Sequence, residues 1–152
     1  MTTEATVKKF FSSPHFAVVG ASSNPAKFGH KIFAWYIHHA IPATPINPVT
    51  PSIAVNSSTY STVASLSALP NPKETSVSII TPPAATLKVL QEAKELGVPA
   101  VWMQPGSFDE AVMKFAQDEY EGEVVAGDGG RGSEGWCILV DGDKGLKAVG
   151  KL

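Results

Sequence analysis

A loop that holds phosphate combines free backbone N–H groups at a helix start, small residues that admit the ligand closely, side-chain hydroxyls and a cation. Residues 20–29 (GASSNPAKFG) carry all four. Gly20, Ala21 and Ser22 are small, Asn24 is polar, Lys27 adds charge with His30 and Lys31 behind it, and Phe28 opens an amphipathic run. Gly20 and Gly29 read equally well as glycines that only allow a tight turn and close helix packing, because an isolated glycine pair is a weak signal. Context favours phosphate: the loop follows an apolar run, 16–20 (FAVVG), and precedes a helical pattern.

Three further loops share this chemistry. They are 47–51 with Asn47 and Pro48, 81–84 with Thr81, Pro82 and Pro83, and 103–107 with Gln104, Pro105 and Gly106. Small residues, prolines and uncharged polar groups let a ligand reach the backbone without desolvating a charge. The set binds but offers no acid, base or nucleophile. It is not the dinucleotide fingerprint, since the next glycine after Gly20 is Gly29. Asn47-Pro48 also stands where an acid would accept from the ribose of NAD. NADP or a 3′-phosphorylated ADP moiety remains.

The elements that position these loops follow from hydrophobic period and punctuation. A short helix around 6–11 precedes the first strand at 16–20. In residues 28–40, Phe28, Ile32, Trp35, Tyr36 and His39 recur at three- and four-residue spacing, one face of a helix. A second strand is expected at 43–47 (ATPIN), where Pro45 lacks a ladder donor and the strand is either bulged or paired on one side. Residues 59–69 read as a strand stub and short helix closed by Pro70-Asn71-Pro72. The third strand is 76–81 (SVSIIT), and Pro82-Pro83 suits the first turn of a helix over 84–96 that stops at Gly97. A fourth strand at 99–103 leads to a helix over 107–120, with Ser107 and Glu110 as a capping box, and to a fifth strand at 123–126. Five glycines in 127–135 make a loop, and 136–142 (WCILVDG) reads as a last strand and turn.

Apolar strands alternating with amphipathic helices predict right-handed βαβ crossovers. The expected fold is α/β: one Rossmann-like, doubly wound domain over 1–152, with a mainly parallel five- to six-stranded sheet and helices on both faces. In such a sheet ligands lie outside the carboxyl ends of the strands at the point where strand order reverses. All four loops fall at those ends.

Composition excludes several classes. A formal net charge of −2 with 17% charged residues is unlike the basic footprint of a nucleic-acid binder. Cys137 is the single cysteine, which rules out an internal disulfide and fits a reducing compartment. The opening MTTEATVKKFFSS lacks the apolar core of a signal peptide, and no run approaches the ~20 apolar residues of a membrane span. A cytoplasmic location and no membrane partner are expected.

Taken in order, GASSNPAKFGHKI, PINP, SIITPP and WMQPG resemble the loops of the small stand-alone CoA-binding domain proteins, over about residues 14–140. The same domain forms the amino-terminal part of the succinyl-CoA synthetase alpha subunit. The resemblance implies coenzyme A, or an acyl-CoA, lying across the strand ends. By motif, Gly20, Ser22, Asn24 and Lys27 would meet phosphate or ribose, Asn47 and Pro48 the nucleotide, and Thr81, Pro82 and Pro83 the adenine side. Gln104, Pro105 and Gly106 would edge the pantetheine. Family members commonly follow the Asn-Pro with Lys or Arg, whereas Val49 and Thr50 stand here. The synthetase also needs a phosphorylated histidine in a second domain and a partner subunit, and this chain has room for neither.

Other residues have two readings each. Cys137 is a nucleophile or a partner for the coenzyme thiol, or else a buried hydrophobe with a high pKa; Trp136, Ile138 and Leu139 favour the second. His38 and His39 are adjacent, without the i, i+4 spacing of a helical metal pair. His30 touches a phosphate or is solvated. Asp128, Arg131 and Glu134 make a small polar site or, more simply, a mobile loop. Phe33, Trp35 and Tyr36 exceed what one sheet face needs, which implies a homo-oligomer contact or a covering loop. Three functions compete: a non-catalytic CoA-binding module, a small NADP-dependent oxidoreductase-like protein, and a regulatory or interaction domain that has lost its ligand.

Overall fold

The computed structural model describes residues 2–152. Helix α1 (Glu4–Phe11) starts under a Thr3–Thr6 capping box and ends beneath the sheet. Strand β1 (His15–Val19) leads through the glycine loop to α2 (Phe28–His38) and then β2 (Ala43–Ile46). A hairpin of β3 (Ser52–Val55) and β4 (Ser58–Ser61) and two short 3₁₀ turns precede β5 (Thr75–Ile79). The remaining elements are α3 (Pro83–Leu96), β6 (Ala100–Met103), α4 (Glu110–Asp118), β7 (Glu123–Val125) and α5 (Ile138–Ala148).

Five strands form one parallel sheet in the order β2-β1-β5-β6-β7. This is a doubly wound order that reverses between β1 and β5, and a switch point opens there. Side chains alternate across the sheet and feed two cores. Phe16, Val18, Ala100 and Trp102 face α1, α2 and α5, while Ala17, Val19, Val101 and Met103 face α3 and α4. The fold is therefore α/β and Rossmann-like, with helices on both faces. Polar residues on the aromatic side are paired: Ser76 donates to the Phe10 carbonyl at 2.7 Å, and Ser78 bonds the Tyr36 hydroxyl at 2.7 Å.

Pro45 lies in an edge strand whose sheet neighbour is β1, with an isolated bridge from Ile46 to Val63 on its outer side, and the proline itself bonds on one side as the second alternative has it. Its carbonyl accepts from Val63 on the outer side, while Ile46 accepts from Gly20 on the inner side. The donor that proline lacks thus falls on the outer edge.

Several expectations need correction. Residues 136–142 are not a strand and turn; α5 begins at Ile138, so the sheet has five strands. The apolar run mimics a strand, but Ile138 and Leu146 are buried helix residues, and Gly142 and Gly145 allow close approach. A Cβ at Gly142 would sit 2.3 Å from the Trp35 ring, and one at Gly145 2.6 Å from Phe11. Packing overrides the low helix propensity of glycine.

The hairpin was only half legible, as the stub at Thr59. It turns at Asn56 and Ser57, both with positive φ (49° and 67°), the requirement of a tight two-residue turn. Helix α4 starts two residues later than expected and is capped by Asp109, whose carboxylate accepts from the Val112 N–H at 2.9 Å. Ser107 instead donates its hydroxyl to the Gln104 carbonyl at 2.7 Å. Phe33, Trp35 and Tyr36 of α2 are covered within the chain, which removes the motive these three gave for a subunit contact. Tyr36 packs on the sheet, Phe33 meets Tyr60 of the hairpin edge-on, and Trp35 lies under Gly142.

Candidate functional site

The loops after β1, β5 and β6 enclose a groove of about 750 Å³ at the switch point. Eleven expected residues line it: Gly20, Ala21, Ser22, Lys27, Phe28, Asn47, Thr81, Pro82, Pro83, Pro105 and Gly106. Asn24, Pro48 and Gln104 do not. Ala26, Gly29 and Ile80 line it too without having been singled out as ligand contacts. Ile80 gave no chemical signal, being one more apolar residue at a strand end.

Gly20 sits at φ +96°, and a Cβ there would fall 2.5 Å from the Ile80 carbonyl oxygen. Gly29 is tighter still, with a Cβ position 1.9 Å from the Gly20 carbonyl oxygen. Both glycines thus serve close packing, and that packing brings the start of α2 to the groove.

The rest of the first loop is held by its own polar groups. Ser22 Oγ accepts from the Asn24 N–H at 3.1 Å, and Asn24 Oδ1 accepts from the Ala26 N–H at 3.0 Å. His30 Nδ1 lies 2.9 Å from the Ser22 carbonyl oxygen, an acceptor, so this nitrogen carries the proton. His30 is therefore a brace for the loop. Ser23 Oγ accepts from Ala54, which ties the hairpin to the same loop. Asn47 Nδ2 donates to the Ala21 carbonyl at 3.2 Å, and its Oδ1 accepts from Val49 and Thr50, both at 2.9 Å. Thr81 pairs with Thr86, hydroxyl to hydroxyl, at 2.8 Å.

What remains free is backbone. Helix α1 is capped by Thr3 and α4 by Asp109, and the Ile138 N–H of α5 donates to Gln104 Oε1 at 3.0 Å. Helices α2 and α3, which begin at the groove, have no side-chain cap on Lys27 or Pro82. Orphan N–H groups and the positive dipole end favour an anion. Lys27 lies exposed at the start of α2, and Phe28 is 52% exposed beneath Lys31, whose Nζ lies 5.3 Å from the ring centroid. No Asp, Glu, His or Cys lines the groove.

Gln104 is 1% exposed and serves as a strut: its Oε1 holds α5 while its Nε2 has no partner. Cys137 is the residue before α5, and burial pushes its thiol pKa up. Cys137 thus precedes a helix instead of lying in a strand and is half-buried instead of buried, yet the expected direction of its thiol pKa holds. His38 faces Asn56, and His39 bridges the Trp35 carbonyl and Asp143. Among the described residues no group of three or more His, Cys, Asp or Glu could hold a metal ion, and no helix is long and apolar enough to cross a membrane. Asp128, Arg131 and Glu134 are exposed, and Arg131 uses its backbone N–H on the buried Asp141 carboxylate at 2.8 Å.

The model of the CoA binding domain family matches residues 14–136. The chain belongs to this family. No protein of curated function matches it. A conserved hypothetical protein from Pyrococcus furiosus is 31% identical with a TM-score of 0.63, over 72% of this chain and 90% of that one. A protein from Thermus thermophilus is 25% identical with a TM-score of 0.67, over 82% and 91%. A hypothetical protein from Pyrococcus horikoshii, 19% identical, shares the fold over 97% and 92% with a TM-score of 0.74.

Proposed function

We propose that this CoA binding domain chain takes coenzyme A or an acyl-CoA into the switch-point groove and holds it without turning it over. The observation that carries the reading is the convergence of two uncapped helix starts, α2 and α3, on one groove whose lining is uncharged except for Lys27. A pyrophosphate suits those N–H groups, and Lys27 adds the nearby cation. The prolines 82, 83 and 105 and the exposed Phe28 ring supply apolar surface for the adenine and pantetheine.

Ser22, Asn47 and Thr81 are already committed to bracing the loops, and no Asp, Glu, His or Cys lines the groove. Binding is thus favoured over catalysis. Isothermal titration of the full chain with coenzyme A tests the reading, with a saturable one-site isotherm expected in the micromolar range. No saturation at millimolar coenzyme A would sink the proposal.

A further inference from the structure

We propose that the ribose corner of the groove holds the sugar without reading a phosphate on it, so that 3′-dephospho-coenzyme A is as good a ligand as coenzyme A. The inference rests on coenzyme binding in the groove and adds its specificity.

In doubly wound sheets the residue at the end of the second parallel strand meets the ribose; an acid there reads free hydroxyls and a nearby basic side chain takes a ribose phosphate. The corresponding strand here is β2, and its end is Asn47. Both ends of the Asn47 amide are already engaged, with Ala21 on one side and with the Val49 and Thr50 N–H groups on the other. The loop then continues through exposed Pro48, Val49 and Thr50, and Val49 is 87% exposed.

The neutrality extends well past these three residues. From residue 32 to residue 72 the chain has no Lys, Arg, Asp or Glu. That stretch holds β2, the loop after it and the β3–β4 hairpin, which Ser23 ties to the first loop through Ala54. Of this stretch Asn47 alone lines the groove, and neither the exposed loop after it nor the hairpin tied to the first loop brings a charge to that side. The cations beside the groove, Lys27 and Lys31, stand at the start of α2 around Phe28, where the pyrophosphate would lie. A ribose phosphate placed on the neutral wall would exchange water for no charged partner and gain nothing from the protein.

Titration of the full chain with coenzyme A and with 3′-dephospho-coenzyme A, in parallel at low salt, decides the matter. Dissociation constants within about threefold of each other are expected. Coenzyme A tighter by about tenfold or more, the mark of a charge-assisted contact, would overturn the inference while leaving coenzyme binding intact. Loss of both isotherms would instead remove the binding reading and this inference with it. The Val49→Arg variant supplies the missing charge at an exposed position. It is expected to gain about tenfold preference for coenzyme A over the dephospho form, fading at high salt. No gain would mean that the loop after β2 lies away from the ribose, and that would overturn the placement.

Discussion

The carbonyl oxygen of Gly20 lies where a side chain on Gly29 would have to be, 1.9 Å from the Cβ position. This contact seats the first turn of α2 against the end of β1 and thereby aims its free N–H groups at the groove. Gly29→Ala should push the helix start outward, destabilise the chain by about 1–3 kcal/mol as overpacking does, and abolish coenzyme binding at micromolar ligand. Urea unfolding and titration calorimetry on the same preparation check both effects. Native stability with native affinity would show that the contact yields without consequence.

Lys27 is the exposed cation among the groove residues. Lys27→Ala should weaken coenzyme A binding by about three- to tenfold, in keeping with one solvent-exposed charge-assisted contact. The wild-type chain should lose more affinity between low and physiological salt than the variant does, because screening acts on the removed pair. Equal salt slopes would place the phosphates elsewhere.

The parallel layer was readable because each of its parts carries a local signal. FAVVG, SIIT and AVWM are short apolar runs bounded by glycine or proline, and Gly97 stops α3 at φ +74° as a left-handed cap. The groove followed from fold topology and loop composition together, and eleven of fourteen named residues line it. What escaped depends on partners distant in sequence. Gly142 and Gly145 look like a turn until Trp35 and Phe11 are seen filling the space where their side chains would be. Asn56-Ser57 turns a hairpin without the glycine that usually announces one. The engagement of Asn47 with Ala21, twenty-six residues earlier, is equally invisible in a linear reading.

Asp141 is 3% exposed, and its two oxygens accept from the backbone N–H groups of Arg131 and Cys137 at 2.8 and 3.1 Å. It joins the glycine loop to the start of α5. Asp141→Ala leaves two N–H groups without their acceptor and should cost about 1–3 kcal/mol, with faster amide exchange confined to the loop and the first turn of α5. Asp141→Asn retains one acceptor and should fall between the two. Exchange unchanged in that region would show that the loop is held by other contacts.

Cys137 allows a test of how the fold behaves at alkaline pH. Burial raises its thiol pKa, and burial likewise holds the Tyr36 phenol far above its usual range. In both cases the folded state keeps the proton more tightly than the unfolded chain. The stability they contribute is therefore complete below the unfolded values, about 8.5 for a thiol and about 10 for a phenol, and is lost as pH rises through the folded ones. Unfolding free energy should accordingly decline above about pH 8.5, and Cys137→Ser should remove the thiol's share of that decline. The alkylation rate of Cys137 should show a midpoint above about 8.5. A midpoint below 7 would instead reveal an activated thiolate at the start of α5 and reopen the question of catalysis.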